Sequence, residues 1–382
     1  MKLRLLFVGH SYCVGLNRRI PHWIARLGCA RWDVTVAAPT SFPGDLRRFA
    51  TTREVTELPE LRTLPVHLAS RIHLFFYGSG VRALLKRPWD LIYLWEEPYI
   101  VAGGQIAALS PSKTPLIYYT CQNLVKNYPP PFRQIEQFCF RRSSGWLAIG
   151  QTTLETQIGR KFIGKPCEVI SPGVDTEAFN IDRAARTTVR QSLGWDTPTP
   201  IIGFAGRFVE EKGLLFLMSV LDGVKSPWRA LFIGGGPLQP MLEDWHRRHR
   251  DKVRILNGID HADMPAYFNA LDFLCLPSRS TPRWREQFGR VIIESFACGV
   301  PVIGSASGEI PMVIDDAGVV VNENDQIAWI AAVEALLNNP RQRAQLGDRC
   351  RDLALNRHSH AAVASRHLQF FERILSSSER GS

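Results

Sequence analysis

A chain of 382 residues is longer than one ordinary hydrophobic core, so the expectation is two domains. Its 45% hydrophobic and 21% charged residues are those of a globular protein and exclude a disordered or low-complexity class. The formal charge of +10 is uneven: residues 1–165 hold 22 Lys+Arg against 10 Asp+Glu, and the remainder holds 24 against 26. A basic first part keeps a protein soluble, and it also attracts anionic partners such as a membrane surface or a lipid phosphate.

No apolar stretch approaches the eighteen or so residues needed to span a bilayer, the nearest being PYIVAGGQIAAL from Pro98 to Leu109. The opening MKLRLLFVGH reads as a first strand rather than a signal peptide. Eight cysteines occur singly, with no C-x-x-C and no metal-type spacing, which fits buried thiols in a reducing compartment. The histidines form no metal triad visible in sequence. These features predict a cytoplasmic protein, with the inner membrane face as a peripheral location.

In chain order, LRLLFVG (Leu3 to Gly9) is an apolar run entering a turn. Helix-like spacing follows from Gly15 to Leu27, and DVTVAAP (33–39) is the next strand. Further strands are predicted at 90–95, 115–120, 145–150 and 167–171, with helical spacing in most gaps. This alternation predicts a parallel, doubly wound, Rossmann-like domain over residues 1–180. The polar run from Asp182 to Pro200 reads as a connector. The alternation then restarts with PIIGFAGR, RALFIGGG, KVRILNG, DFLCLPS and GVVVN as strands, predicting a second domain over 181–358. Helices are predicted at 325–338, 340–355 and 360–375, and the terminal SSSERGS is expected to fray. The α/β architecture that results is two Rossmann-like domains with a cleft between them.

In doubly wound sheets ligands sit beyond the carboxyl ends of strands, so the loops there carry the candidate chemistry. GFAGRFVEEKG places Arg207 and Lys212 before a helix, where two cations and free helix N–H groups suit a diphosphate; a solvated charged loop is the plainer reading. Gly235 and Gly236 in FIGGGP allow a base or phosphate close to the backbone, although G-x-G-x-x-G spacing is absent. NGID, with Ile259, offers backbone groups to a nucleobase, or is a simple turn. PSRSTPRWREQFGRVIIESFACGVPVIG (277–304) sets Glu286 in a loop and Glu294 eight residues later on a helix. Two carboxylates beside an anionic ligand are repulsive unless they accept hydrogen bonds from hydroxyls, as those of a sugar and a ribose would provide. Together these residues describe a pocket for a sugar nucleotide.

Three runs carry a resemblance. SPGVDTEAF, GRFVEEKG and EQFGRVIIESFACGVPVI resemble, in order and spacing, the P-x-G-V-D-x-x-x-F, G-R-x-x-x-x-K-G and E-x-F-G-x-x-x-x-E-A-x-A-x-G-x-P-V patterns of the retaining glycosyltransferases of family 4 (glycosyl transferases group 1), which have the GT-B fold. The resemblance implies that Arg207 and Lys212 bind the donor diphosphate, that Glu294 holds the ribose, and that Glu286 with Phe288, Gly289 and Arg290 lies at the transferred sugar. It also implies that a final helix, within 359–382, crosses back onto the first domain.

The first half departs from the pattern. A His common in the family after the strand PLIYYT is absent, and Gln122 and Asn123 stand near its place in CQNLVKNYPPPFR. A subset of the family resembles this run, with Q-N-x-x-K-x-Y-P-x-P-F. The N-terminal glycine motif is reduced to Gly15. Glu96 and Glu97 end a strand in LWEEPY, and His10 directly follows the first strand; His10 and Glu97 are candidates for the acceptor side, against local packing for His10 and a charged loop for the glutamates.

The reading is a retaining glycosyltransferase moving a sugar from a UDP-, GDP- or ADP-sugar to the hydroxyl of a glycan or lipid-linked acceptor. No metal and no cofactor are expected, contact with an anionic membrane is, and nucleic acid is not. The rival readings are a sugar-nucleotide epimerase or hydrolase of the same fold, and a non-catalytic nucleotide-sugar binder.

Overall fold

The computed structural model describes residues 2–44, 48–195 and 198–379. The last three residues of the tail expected to fray, and residues 196–197 of the expected connector, lie outside that range. The chain divides into two compact units, Met1–Pro172 with His360–Ser382, and Gly173–Ser359. The first division falls after Pro172 rather than residue 180, because the intervening run is tied to the second unit. Val174 N–H donates to His358 O, and the Arg351 guanidinium donates to Thr176 O and Phe179 O.

The first unit is built on a seven-stranded sheet: β1 (Leu3–Val8), β2 (Trp32–Pro39), β3 (Glu60–Leu64), β4 (Leu91–Leu94), β5 (Leu116–Thr120), β6 (Gly145–Ala148) and β7 (Cys167–Val169). Its spatial order is 3-2-1-4-5-6-7 with every pair parallel. Strands such as LLFV, LIYL and LIYYT are apolar on both faces because helices cover both, as a parallel sheet requires. The strand order reverses between β1 and β4, so the crevice for a ligand lies beyond their carboxyl ends.

β3 escaped the sequence reading because ELRTL is mostly polar and partly exposed, lying on the outer edge of the sheet. The helix expected from Gly15 begins only at Arg19, after two 3-10 turns, His10–Cys13 and Gly15–Arg18. Arg18 explains the irregularity: its guanidinium is 3% exposed, pairs with Glu57 at 2.7 Å and donates to Tyr12 O and Thr52 O.

The final helix, His360–Glu379, belongs to the first unit, as expected of a crossover helix. Phe371 packs against Phe7, Trp32 and Tyr93, and the buried His367 ring lies 3.3 Å from the Tyr93 hydroxyl while its Nδ1 meets Val363 O.

The second unit repeats the plan with β8 (Ile201–Arg207), β9 (Arg229–Gly235), β10 (Val253–Leu256), β11 (Phe273–Leu276), β12 (Val302–Ser305) and β13 (Val319–Val321). The order is 10-9-8-11-12-13, again all parallel, with the reversal between β8 and β11. β12 was not anticipated, because four residues directly behind Pro301 carry too little periodicity to separate them from the helix before.

Burial lowers the pKa of His367 to about 4, with the neighbouring Arg366 charge adding to the effect against the Val363 hydrogen bond and Glu168. A folded-state pKa below the unfolded value means that the unfolded chain binds more protons as pH falls. Stability from this group is therefore full above pH ~6.5 and declines toward pH ~4, by up to about 3 kcal/mol. Denaturant titration across that window should show the decline in the wild type and a smaller one in His367→Phe; equal slopes would contradict the assignment.

Candidate functional site

In the second unit the loops leaving β8 and β11 meet at the strand reversal. Gly213, with φ 69°, lets the β8 loop press against the next one: a Cβ there would lie 1.9 Å from Pro277 O. Arg279 N–H donates to Glu211 O across the same contact. This packing delivers Lys212 to Glu286, with Nζ 2.5 Å from Oε2. The same carboxylate oxygen accepts from Ser278 Oγ at 2.9 Å, and the ammonium lies 5.2 Å from the centroid of the Trp284 ring. Glu286 is 6% exposed. Its main chain is fixed from the other side, where Glu309 N–H donates to Glu286 O and a Cβ at Gly308 would overlap that oxygen.

Glu294 sits on the helix Arg290–Ala297, whose N-terminal residue before the first turn is Gly289 in the left-handed region, φ 78°. Its carboxylate is nearly buried and lies 3.0 Å from His261 Nε2. The His261 ring lies tilted against Phe179 with centroids 5.2 Å apart, so the P-G-V-D-T-E-A-F run supplies the wall beside this pair. The two carboxylates of the E-x7-E run thus hold different partners, a cation for Glu286 and an imidazole for Glu294.

Gly235 and Gly236 end β9 beside Phe208; Gly236 has φ 154° and a Cβ there would press on Phe208 O. Ile259 follows the left-handed Gly258 in an open turn, and Arg207 ends β8. Arg290 is the first residue of its helix, and Phe288 is a buried side chain edge-on to His358, which leaves its backbone as the part offered to a ligand. Sequence reading missed Ser278, Trp284 and His261, which are far in sequence from their partners and carry no spacing signal. Among the described residues no group of three or more His, Cys, Asp or Glu side chains is placed to hold a metal ion.

In the first unit, His10 stands at the β1–β4 reversal. Glu96, 1% exposed, accepts from the His10 main chain at 2.6 Å and from Tyr77 OH at 2.7 Å, and meets His10 Nδ1 at 2.5 Å. Phe42 and Phe75 hold the ring at 4.8 and 5.5 Å. Glu97 accepts from both Thr120 Oγ1 and Cys121 N–H, so it ties the end of β4 to the end of β5. Burial pushes its carboxyl pKa up in spite of those bonds.

Gln122 and Asn123 are also buried. Gln122 donates to Tyr128 OH and accepts from Leu124 N–H, which braces its own loop. Gly15 opens the second 3-10 turn, with the Glu54 carboxylate where a Cβ would stand.

The fold is that of GT-B glycosyltransferases: Anabaena HepE in complex with UDP matches with a TM-score of 0.77 at 19% identity, over 98% of this chain and 100% of that one. Sucrose-phosphate synthase from Thermosynechococcus elongatus matches with a TM-score of 0.72 at 17% identity, over 98% and 100%. Residues 185–352 match the family model of glycosyl transferases group 1, so the second unit is a domain of that family.

Among curated relatives, a D-inositol 3-phosphate glycosyltransferase of Xylanimonas cellulosilytica is 33% identical over 47% of this chain and 44% of its own. A GDP-mannose-dependent alpha-(1-6)-phosphatidylinositol monomannoside mannosyltransferase of Mycolicibacterium smegmatis is 34% identical over 50% and 52%. The chain thus spans about half the length of these relatives.

Burial lowers the affinity of His10 for its proton, but the Glu96 charge and hydrogen bond, with Glu97 behind, outweigh it and leave the pKa raised. The pair therefore stabilises the fold fully below pH ~6.5 and stops doing so as pH rises through the raised folded value. Glu96→Gln should lower the His10 pKa, followed by NMR of the imidazole; an unchanged pKa would contradict this account of the dyad.

Proposed function

We propose that the chain is a retaining glycosyltransferase that moves a sugar from a nucleoside diphosphate donor to an acceptor hydroxyl. The observation that carries the reading is the contact of Lys212 with Glu286 at the β8–β11 reversal. It puts a diphosphate-binding cation and a sugar-binding carboxylate at adjoining atoms, as the covalent link between the β-phosphate and the sugar demands. In this reading Arg207 and Lys212 meet the diphosphate, the main-chain N–H groups at the start of the helix Arg290–Ala297 add their dipole, and Glu294 accepts from ribose hydroxyls with His261 holding its carboxylate.

Departure of the diphosphate builds negative charge on its leaving oxygen, and fixed cations there stabilise the transition state more than the ground state. In the front-face route that the family resemblance implies, the acceptor attacks from the donor face that the leaving group vacates, and the leaving oxygen receives the acceptor proton. This charge balance asks for no resident metal, so chelation should leave turnover unchanged. HepE has been solved with UDP and with UDP-glucose, and the mycolicibacterial relative is named for GDP-mannose; the proposed donors here are UDP-, GDP- or ADP-sugars.

The first unit provides the acceptor determinants, with His10 as a fixed polar group at its strand reversal. Its basic charge suits an acidic or lipid-linked acceptor met at the inner membrane face by a cytoplasmic enzyme. Among the described residues no helix is long and apolar enough to cross a membrane.

Thermal shift with the three donor classes should identify one that stabilises the protein. With that donor and an acceptor, Lys212→Ala and Glu294→Ala should each reduce kcat/KM by at least about 2 kcal/mol, roughly thirtyfold. Near-normal transfer in both variants would overturn the assignment, and a changed free sugar nucleotide formed from donor alone would favour an epimerase or hydrolase.

A further inference from the structure

The run Q-N-L-V-K-N-Y-P-P-P-F plays no part in the donor site, yet it is rigidly built. Tyr128 is stacked on Tyr99 at 4.0 Å and 18°, covered on its other contact by the Arg160 guanidinium at 4.7 Å, and bonded through its hydroxyl to Gln122. Arg160 also donates to Lys126 O and forms a paired contact with Glu136, both side chains being nine-tenths or more buried. One guanidinium thus locks the loop after β5, the helix Phe132–Arg142 and the turn after the helix Gln151–Gly159 into one body.

That body encloses a pocket of about 580 Å³. One helix face lines it, Arg133, Glu136, Gln137, Phe140 and Arg141, the i, i+3, i+4, i+7, i+8 positions that a helix normally gives to its core. Lys126 reaches it from the loop and Lys161 from the turn, the latter held at φ 69°, where non-glycine residues are uncommon. Glu136 is the one carboxylate in the lining, and Arg160 already neutralises it. Among the described residues Lys126, Arg133, Arg141 and Lys161 have no acidic partner. Four like charges from three segments, set around a pre-formed cavity, repel one another until an anion fills it.

We propose that this pocket binds a phosphate-bearing group. The volume exceeds that of phosphate itself and suits a phosphate carried on a polar body such as a sugar or a lipid headgroup. Val125, 71% exposed, stands in the lining as an apolar side chain open to solvent. Its lining belongs wholly to the first unit and the proposed donor residues to the second, so the two are tested by different variants.

The test uses the full chain and its Arg133→Ala/Arg141→Ala double variant, both arginines being exposed. Inorganic pyrophosphate is titrated by calorimetry with UDP, GDP and ADP all present throughout to occupy a nucleoside diphosphate site, and cosedimentation is measured with phosphatidylglycerol–phosphatidylcholine vesicles. The wild type should bind at least one probe, and the double variant at least about tenfold more weakly, with the difference shrinking at high salt. The circular dichroism spectrum and melting temperature without ligand should be equal in both, which confirms folding. Binding of vesicles that pyrophosphate displaces assigns a lipid headgroup; binding of pyrophosphate alone assigns a soluble phosphate compound; vesicle binding that pyrophosphate leaves unchanged places the lipid outside this pocket and counts against it. No binding of either probe by the wild type, or equal binding by the variant, would overturn the proposal.

Discussion

The second unit depends on one ion pair taken almost entirely out of water. Bringing Lys212 and Glu286 together costs the hydration of both charges, and the attraction between them repays that cost only where the geometry is fixed in advance. The surrounding residues do this: Gly213 lets the two loops touch, Ser278 fills a lone pair on the carboxylate, and Gly308 with Glu309 clamps the main chain from behind. Without a ligand the pair satisfies itself. In the proposed function a sugar diphosphate would give the ammonium a second anion to meet and the carboxylate hydroxyls to accept from, so the same atoms would serve both states.

The sequence makes some of this plain. Parallel strands buried on both faces declare themselves as apolar runs, and the Lys212, Glu286 and Glu294 positions stand out because loops after strands are where charged residues have a task. What sequence hides is partnership at a distance. His261 beside Glu294 and Ser278 beside Glu286 are ordinary polar residues until the fold closes on them. The partners of Glu97 are hidden for the same reason, since Thr120 and Cys121 lie on a neighbouring strand end. β3 and β12 went unseen because one is a polar edge and the other only four residues long.

The first unit solves a similar problem with different chemistry. Its strand reversal carries an imidazole held by a buried carboxylate rather than a cation held by one, and three aromatic groups, Tyr77, Phe42 and Phe75, fix the pair. Beside it, the loop after β5 spends Gln122 on its own shape and leaves its cations facing outward. A basic unit of this kind is suited to acidic ligands, and a donor unit with paired charges to a substrate that carries both phosphates and hydroxyls.

The central claim is that Lys212 and Glu286 act on one substrate as a coupled pair. A double-mutant cycle on kcat/KM for sugar transfer, with Lys212→Met, Glu286→Gln and the two combined, tests it most directly. Coupling predicts that the combined loss falls short of the sum of the single losses by at least about 1 kcal/mol. Losses that simply add would contradict it.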